Sequence, residues 1–214
     1  IIDAASGSSA PVAPKTMMIF LASIVLGLGI PMGVFWLLNV TDTKVRTRKE
    51  LDGVLTIPFL GNIPRHGNNK GEDSDGIVVR ENSRDSVSEA FRIIRTNMDF
   101  MRVKAANLQV VMFTSANPGA GKTFVSSNLA MSIAQTNKKV VLVDVDIRKG
   151  TLSGIFSNSS NRMGLTHYLS GSTDKLDDII GRSEEYEKLD VIFSGPVPPN
   201  PAELLLSERF DRLI

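Results

Sequence analysis

The residues with the clearest chemical signal lie between positions 115 and 123. This segment contains Gly119 and Gly121 and stands between a run rich in β-branched residues, 109–114, and a helix-like segment, 124–135. A strand, a glycine loop and a helix in that order are what a phosphate-binding loop requires. Glycine lets backbone N–H groups turn toward an anion, and the helix N-terminus adds partial positive charge.

The loop ends in Lys122 and Thr123, the two side chains that complete such a site. A lysine here reaches the β- and γ-phosphates of a nucleotide, and the neighbouring hydroxyl coordinates Mg²⁺. Ala116 stands where the general pattern has its first glycine. Because the flanking strand and helix patterns also fit, the sequence predicts a nucleoside triphosphate and Mg²⁺ as ligands.

A second strand, Val140–Val143, is followed by Asp144 and Asp146. Carboxylates at the carboxyl end of a strand beside the phosphate loop would lie near the phosphates and the metal. Since alternate residues of an extended chain point to opposite faces, both aspartates can face the site only if the strand ends at about Asp144. A pair that merely caps a helix remains the alternative. The candidate metal ligands are Thr123, Asp144 and Asp146, and the candidate catalytic residues are Lys122, Asp144 and Asp146.

An apolar run from Met17 to Leu38, 22 residues interrupted only by Ser23, is long enough to cross a bilayer. It is too long for a signal peptide and lacks the polar face of a soluble helix. We assign 17–39 to a transmembrane helix. Basic residues crowd its carboxyl side, which the positive-inside rule places in the cytoplasm. They are Lys44, Arg46, Arg48 and Lys49.

The rest of the chain divides into three further segments. Residues 1–16 are predicted to be extracytoplasmic, and 40–80 form a juxtamembrane linker whose apolar island at 57–64 suggests docking. Residues 81–214 are predicted to be a partial domain. Basic residues (24) nearly balance acidic ones (23), so no nucleic-acid partner is expected. The absence of cysteine excludes disulfides and thiolate zinc sites.

Residues 86–104 have apolar positions spaced by three or four, which predicts an amphipathic helix. Glu89, Arg92 and Arg95 recur every three residues and share one face of it. This face has two interpretations that the residues alone leave open. It is either a solvated, salt-bridged surface or a contact between subunits.

In combination these motifs resemble those of bacterial tyrosine kinases, the cytoplasmic domains of polysaccharide co-polymerases. Residues 114–123 look like the Walker A loop of that family, and 141–148 like its second motif, which ends in DxDxR. Residues 89–97 resemble its ExxRxxR element, which joins protomers into a ring. The region 195–205 and the segments flanking the apolar run are also similar, so the resemblance spans nearly the whole chain.

The resemblance implies an α/β fold, a P-loop NTPase-like parallel sheet flanked by helices, here incomplete and preceded by one transmembrane helix. It implies an ATP-dependent autokinase of the bacterial inner membrane that regulates polymerisation and export of capsule or exopolysaccharide. Its partners would be the export machinery and a homo-oligomeric ring, with Glu89, Arg92 and Arg95 at the interface. The expected cofactors are ATP and Mg²⁺, bound by Asn117, Pro118, Gly119, Ala120, Gly121, Lys122, Thr123, Phe124 and Arg148.

Two features of the family are expected only beyond Ile214: a strand bearing an acidic Walker B residue, and a tyrosine tail that the neighbouring subunit phosphorylates. We therefore expect this fragment alone to be inactive. Tyr168 has an apolar setting that favours packing, and Tyr186 lies among charges. Two alternatives remain: a non-catalytic nucleotide-binding scaffold, and a partitioning or division-site ATPase. The second is disfavoured by Asn117, where those ATPases carry a lysine.

Overall fold

The structure is a computed structural model that describes residues 15–42, 50, 56–64, 76–102, 109–156, 163–182 and 187–214. It separates into two units, Ile1–Pro58 and Phe59–Ile214. Several sequence predictions concern residues outside the described ranges, and these stay predictions. They are the extracytoplasmic segment up to residue 14, the basic cluster at 44–49, and Tyr186.

Helix α1, Thr16–Thr41, forms the described part of the first unit, together with a few flanking residues. It has 26 residues and would extend about 39 Å at the usual rise per residue, and an 18-residue stretch of it has a mean hydropathy of 2.3. The only hydroxyl in its apolar run, that of Ser23, donates to the carbonyl of Phe20 at 2.8 Å and so adds no unpaired polar group. The predicted helix at 17–39 is confirmed, and its length and composition suit a membrane crossing.

In the second unit, the predicted amphipathic helix is α2, Ser86–Arg102. Asp85 directly precedes it, and the Oδ1 of Asp85 accepts the backbone N–H groups of Val87 and Ser88, both at 2.9 Å. A carboxylate here satisfies donors that have no partner in the first turn of a helix. The spacing of the apolar residues predicted a buried face, and this is confirmed by Phe91, which is completely buried.

Helix α3, Lys122–Ala134, starts directly after the glycine loop and packs against α2. The rings of Phe91 and Phe124 join the two helices, with centroids 6.0 Å apart. Strand β1, Val140–Val143, follows α3. Ala130 and Ala134 of α3 bury small apolar surfaces in the same core cluster as Leu142 of β1. The predicted helix and strand are therefore both present.

The sheet contains two strands that the sequence did not reveal, β2, Ile180–Arg182, and β3, Leu189–Ile192. Its order is β1-β3-β2. β3 lies parallel to β1, with Val140 opposite Leu189, but β2 is antiparallel to β3. The prediction of a parallel sheet therefore needs a correction: the sheet is mixed. Only six residues separate Arg182 from Leu189 in the sequence, and so short a connection suits antiparallel neighbours.

The strand predicted at 109–114 is not formed in this structure. Val110, Val111 and Met112 are exposed, Met112 to 84%. The described residues provide no hydrogen-bonded neighbour for this segment, and β-branched residues favour a strand only when such a neighbour exists. Phe113 alone turns inward, against the cluster that contains Phe91.

Three short helices cover the far side of the sheet: α4, Leu165–Leu169, α5, Pro201–Leu205, and α6, Glu208–Leu213. Tyr168 is buried in the cluster that they form with Ile192 of β3. The guanidinium of Arg209 lies 5.7 Å from the centre of the Tyr168 ring. The prediction that Tyr168 has a packing role is therefore confirmed.

The end of the apolar island docks as predicted. Leu60 and Ile63 pack against the cluster around Phe91, and the side-chain amide of Asn97 donates to the Leu60 carbonyl at 2.7 Å. The backbone at 76–79 is held by the completely buried Asn128 of α3. Residues 60–63 and 76–79, which precede α2 in the sequence, thus lie against α2 and α3.

Candidate nucleotide-binding site

Two glycines of the loop adopt backbone conformations that favour glycine. Gly119 and Gly121 have φ angles of +75° and +91°, a region that side chains with a Cβ rarely adopt. Apart from the glycine and its two chain neighbours, no described atom lies within 4 Å of the place where a Cβ would stand at either position, so this side of the loop is open. Gly121 is also the residue that precedes the first turn of α3.

The N-terminus of α3 suits an anion. Among the described residues no side chain caps this end, and its first turn carries no acidic residue. The first N–H groups of a helix have no partner within it, and the helix dipole concentrates positive charge there. An open glycine loop that leads into such an end fits a phosphate group.

Lys122 is the first residue of α3, and its side chain folds back over the loop. Its Nζ donates to the hydroxyl of Ser115 at 3.1 Å. The Ser115 hydroxyl in turn donates to the carbonyl of Asn117 at 2.9 Å. The ammonium group is therefore held at the loop by a neutral partner, which leaves its charge available to a ligand.

Thr123 follows Lys122 and makes a contact that the sequence did not suggest. Its Oγ1 lies 3.0 Å from the Oγ1 of Thr151, and either hydroxyl can donate. Thr151 precedes a short 3-10 turn, Leu152–Gly154, in the loop that leaves β1. The hydroxyl predicted to coordinate Mg²⁺ thus links the N-terminal turn of α3 to the loop after β1.

Asp144 lies directly after β1 and is only 5% exposed. Its Oδ2 accepts the backbone N–H of Leu152 at 3.0 Å, and its Oδ1 accepts that of Asp146 at 3.1 Å. Burial raises the pKa of this carboxyl because it disfavours the charged form; the hydrogen bonds from the backbone oppose that rise, and the nearby Asp146 charge adds to it.

Asp146 is exposed, and its Oδ1 accepts the backbone N–H groups of Arg148 at 3.3 Å and Lys149 at 3.2 Å. Because β1 ends at Val143, the condition for both aspartates to serve one site is met. Both carboxylates also accept backbone N–H groups of the loop that follows. This resembles the alternative interpretation, in which the two aspartates only cap a helix. Their roles toward a metal remain a prediction, as does the role of the exposed Arg148.

The remaining residues predicted to bind the cofactor divide into two groups. Phe124 points into the protein, where it meets Phe91, so its contribution to the site is to fix the helix. The others are exposed on the loop, where their backbone can meet a ligand. They are Asn117, Pro118, Gly119 and Ala120.

The charged face of α2 is engaged within the chain. Arg92 pairs with Glu89 at 2.8 Å and donates to the carbonyl of Ser83 at 2.6 Å. Arg95 donates to the backbone carbonyl of Ser132 on α3, at 2.5 Å. The salt-bridge interpretation has direct contacts in its favour, and the contact between subunits stays a prediction.

Sequence reasoning missed the side chains that support the site, namely Ser115, Thr151 and Asn128. Ser115 and Thr151 are small hydroxyl residues in loops, and nothing in their spacing distinguishes them from ordinary loop residues. Asn128 gave no clearer signal, because it follows two other polar residues, Ser126 and Ser127, on the predicted helix.

Comparison with known proteins gives a consistent picture. A family model described as an AAA domain matches residues 108–197. A putative tyrosine-protein kinase in the cps region of Klebsiella pneumoniae is 38% identical over 225 residues, covering 100% of this chain and 31% of the relative. The tyrosine-protein kinase etk of Escherichia coli K12 is 34% identical over 236 residues, with the same coverage of both chains. The chain thus spans about a third of the length of these curated relatives.

Two solved structures resemble the chain more fully. The chimerical protein CapA2B2 has a TM-score of 0.67 and 37% identity, over 78% of this chain and 68% of that one. The kinase domain of the Escherichia coli tyrosine kinase ETK has a TM-score of 0.66 and 35% identity, over 79% of this chain and 68% of that one. Identity and coverage at this level, together with an intact glycine loop, establish that this chain belongs to the bacterial tyrosine kinase family.

Proposed function

We propose that this chain is the ATP-binding part of a membrane-anchored bacterial tyrosine autokinase that regulates polymerisation and export of capsule or exopolysaccharide. The observation that carries the proposal is the open glycine loop at the start of α3, with Lys122 and Thr123 beside it. The polysaccharide context rests on the cps region named for one relative.

In this proposal, catalysis consists of positioning and charge neutralisation, since phosphoryl transfer leaves the protein little covalent chemistry to perform. Lys122 and the loop amides bind the phosphates of ATP. Mg²⁺, held with the help of Thr123 and Asp146, would supply positive charge against the phosphate oxygens. Thr123 stands at the first turn of α3, and Asp146 is exposed near the start of the loop after β1.

Asp144 is the candidate for orienting or deprotonating the acceptor hydroxyl, a role suggested by its place at the carboxyl end of β1. Its contacts with the N–H groups of Leu152 and Asp146 support a second contribution, in which it shapes the loop that carries Asp146. Replacing the carboxylate with an amide would therefore affect both the proton acceptor and the loop.

The acceptor in this proposal is a tyrosine tail of the neighbouring subunit in a homo-oligomeric ring. Tyr168 is buried beneath Arg209, which supports an acceptor elsewhere. The ring contact would use the α2 face that carries Glu89, Arg92 and Arg95. Side-chain exposures of 56% for Glu89 and 30% for Arg92 leave that pair accessible to a second copy.

The membrane anchor in this proposal is α1, which crosses the bacterial inner membrane once. Its hydropathy and length support this role. The basic residues that follow it in the sequence support a cytoplasmic location for residues 40–214.

The direct test incubates the longest natural form of the chain with labelled ATP and Mg²⁺, followed by mass spectrometry. We expect phosphate on tyrosines outside residues 1–214, and a loss of at least about tenfold in labelling for Asp144→Asn and Asp146→Asn. The matched control, Tyr168→Phe, should label normally. Phosphate on Tyr168 would show that the proposed acceptor is wrong. Absence of label with retained ATP binding would favour the non-catalytic scaffold.

A further inference from the structure

The contact between the Thr123 and Thr151 hydroxyls links two distant segments of the site, and neither the motif nor the proposed function explains it. The two oxygens are 3.0 Å apart although 28 positions separate the residues. A hydroxyl has one hydrogen and two lone pairs, so in such a pair one group donates and the other accepts. Which of them donates decides where the lone pairs of Thr123 point.

The position of Thr151 is determined by its neighbours. Asp144, buried after β1, accepts the backbone N–H of Leu152 at 3.0 Å. That bond fixes the start of the 3-10 turn that Thr151 precedes. The hydroxyl of Thr151 is therefore carried on a backbone segment held to the sheet, and it is directed at the first turn of α3.

We propose that Thr151 is a positioning residue for Thr123: it accepts the hydrogen of the Thr123 hydroxyl, so that both lone pairs of that oxygen remain free for a divalent cation. The inference rests on the proposed function, because it assumes that Thr123 faces the cation of a bound nucleotide. Partners that orient a ligand of a metal in this way commonly change metal affinity by about 10- to 100-fold.

The proposal separates two kinds of binding. Phosphates contact Lys122 and the loop amides, none of which Thr151 touches, so nucleotide affinity without a divalent cation should not depend on Thr151. The additional affinity that Mg²⁺ provides should depend on it. A residue that only stabilised the fold would change both affinities together.

Isothermal titration calorimetry with ADP, in MgCl₂ and in EDTA, tests this on the longest natural form of the chain in detergent. Thr151→Val keeps the shape of the side chain but removes the acceptor. We expect the gain in ADP affinity from Mg²⁺ to fall about tenfold or more in this variant, with affinity in EDTA unchanged. Thr151→Ser should restore the gain. Thr136→Val is the matched control, because the Thr136 hydroxyl bonds the Ile133 carbonyl at the other end of α3.

An unchanged gain from Mg²⁺ in Thr151→Val would overturn the inference. So would an equal loss of affinity in MgCl₂ and in EDTA, since that indicates damage to the fold. If the wild-type chain bound no ADP under either condition, the proposed function itself would fail and this inference with it. That result is recognisable because it already appears without any substitution.

Discussion

At the residue scale, Lys122 and Thr123 each contact a hydroxyl group to which the motif assigns no role. The Nζ of Lys122 donates to the Ser115 hydroxyl, and the Thr123 hydroxyl forms a hydrogen bond with the Thr151 hydroxyl. Lys122 and Thr123 could be selected from the sequence because their place after two glycines has a chemical reason. Thr151 could not, because the fold brings it to α3 from the loop beyond β1. Local spacing carries no information about such a contact.

Asp85 provides a prediction at this scale. It accepts two N–H groups at the start of α2. Burial raises its pKa, but the hydrogen bonds from Ser83, Ser88 and Val87 outweigh that effect and hold the pKa well below its usual range. Asp85→Ala should lower the free energy of unfolding of the second unit by about 1 kcal/mol near neutral pH. Urea denaturation followed by circular dichroism measures this.

The pH dependence follows from the direction of that shift. A carboxyl whose pKa is lowered by folding stabilises the protein above its unfolded pKa, about 3.9, and loses this contribution as pH falls toward the folded value. The difference between wild type and Asp85→Ala should therefore shrink below about pH 4. Asp85→Asn is the control, because asparagine also caps helices but does not titrate. A difference that stayed constant with pH would contradict the account.

At the element scale, the long helices and the continuously apolar strand β1 could be predicted, whereas the other short elements could not. The apolar run of α1 and the three-or-four spacing of α2 each extend over several turns, so their periodicity is clear. β2 has three residues around Gly181, and β3 has Asp190 within its four, so neither shows a pattern. The error at 109–114 has another cause: composition indicates a tendency to form a strand, whereas pairing requires a neighbour.

Asn128 gives the prediction for α3. Its side-chain oxygen accepts the N–H groups of Val78 and Val79, at 2.7 and 3.0 Å, and its amide donates to the carbonyls of Gly76 and Phe124. Asn128→Leu has a similar size but leaves these buried groups without partners. We expect the free energy of unfolding to fall by about 2–4 kcal/mol.

Urea denaturation again provides the measurement. Met131→Leu is the control on the same helix, since a volume-conserving apolar change costs less than about 1.5 kcal/mol. If Asn128→Leu were no less stable than Met131→Leu, the backbone at 76–79 would not depend on α3 in the way described.

At the scale of the whole molecule, the proposed ring can be tested by exchanging charges. Glu89→Arg combined with Arg92→Glu preserves an oppositely charged pair within the helix but reverses both charges that a second copy would meet. A ring is built from head-to-tail contacts, in which this face meets a different and unsubstituted surface of the next copy. If the face joins subunits in that way, sedimentation velocity should show a shift toward monomer, because reversed charges at a contact are unfavourable.

The matched control exchanges Glu208 and Arg212 of α6, another pair on an exposed helix, with atoms 3.4 Å apart. We expect that variant to assemble like the wild type. Equal sedimentation of both exchanged variants and the wild type, with unchanged circular dichroism, would leave the α2 pair as a salt bridge within the chain.

The central claim, that residues 115–123 bind a nucleotide, is tested most directly by calorimetry of Mg·ADP binding to Lys122→Met. Hydrogen bonds to charged groups contribute about 1.5–3 kcal/mol, and about 1.4 kcal/mol is tenfold in affinity. We predict a loss of about 10- to 100-fold relative to wild type. Lys138 is the control, because it lies away from the loop and its Nζ is 3.3 Å from the Oδ1 of Asp99. Lys138→Met should bind Mg·ADP normally. Equal affinity of wild type and Lys122→Met would contradict the assignment of this site.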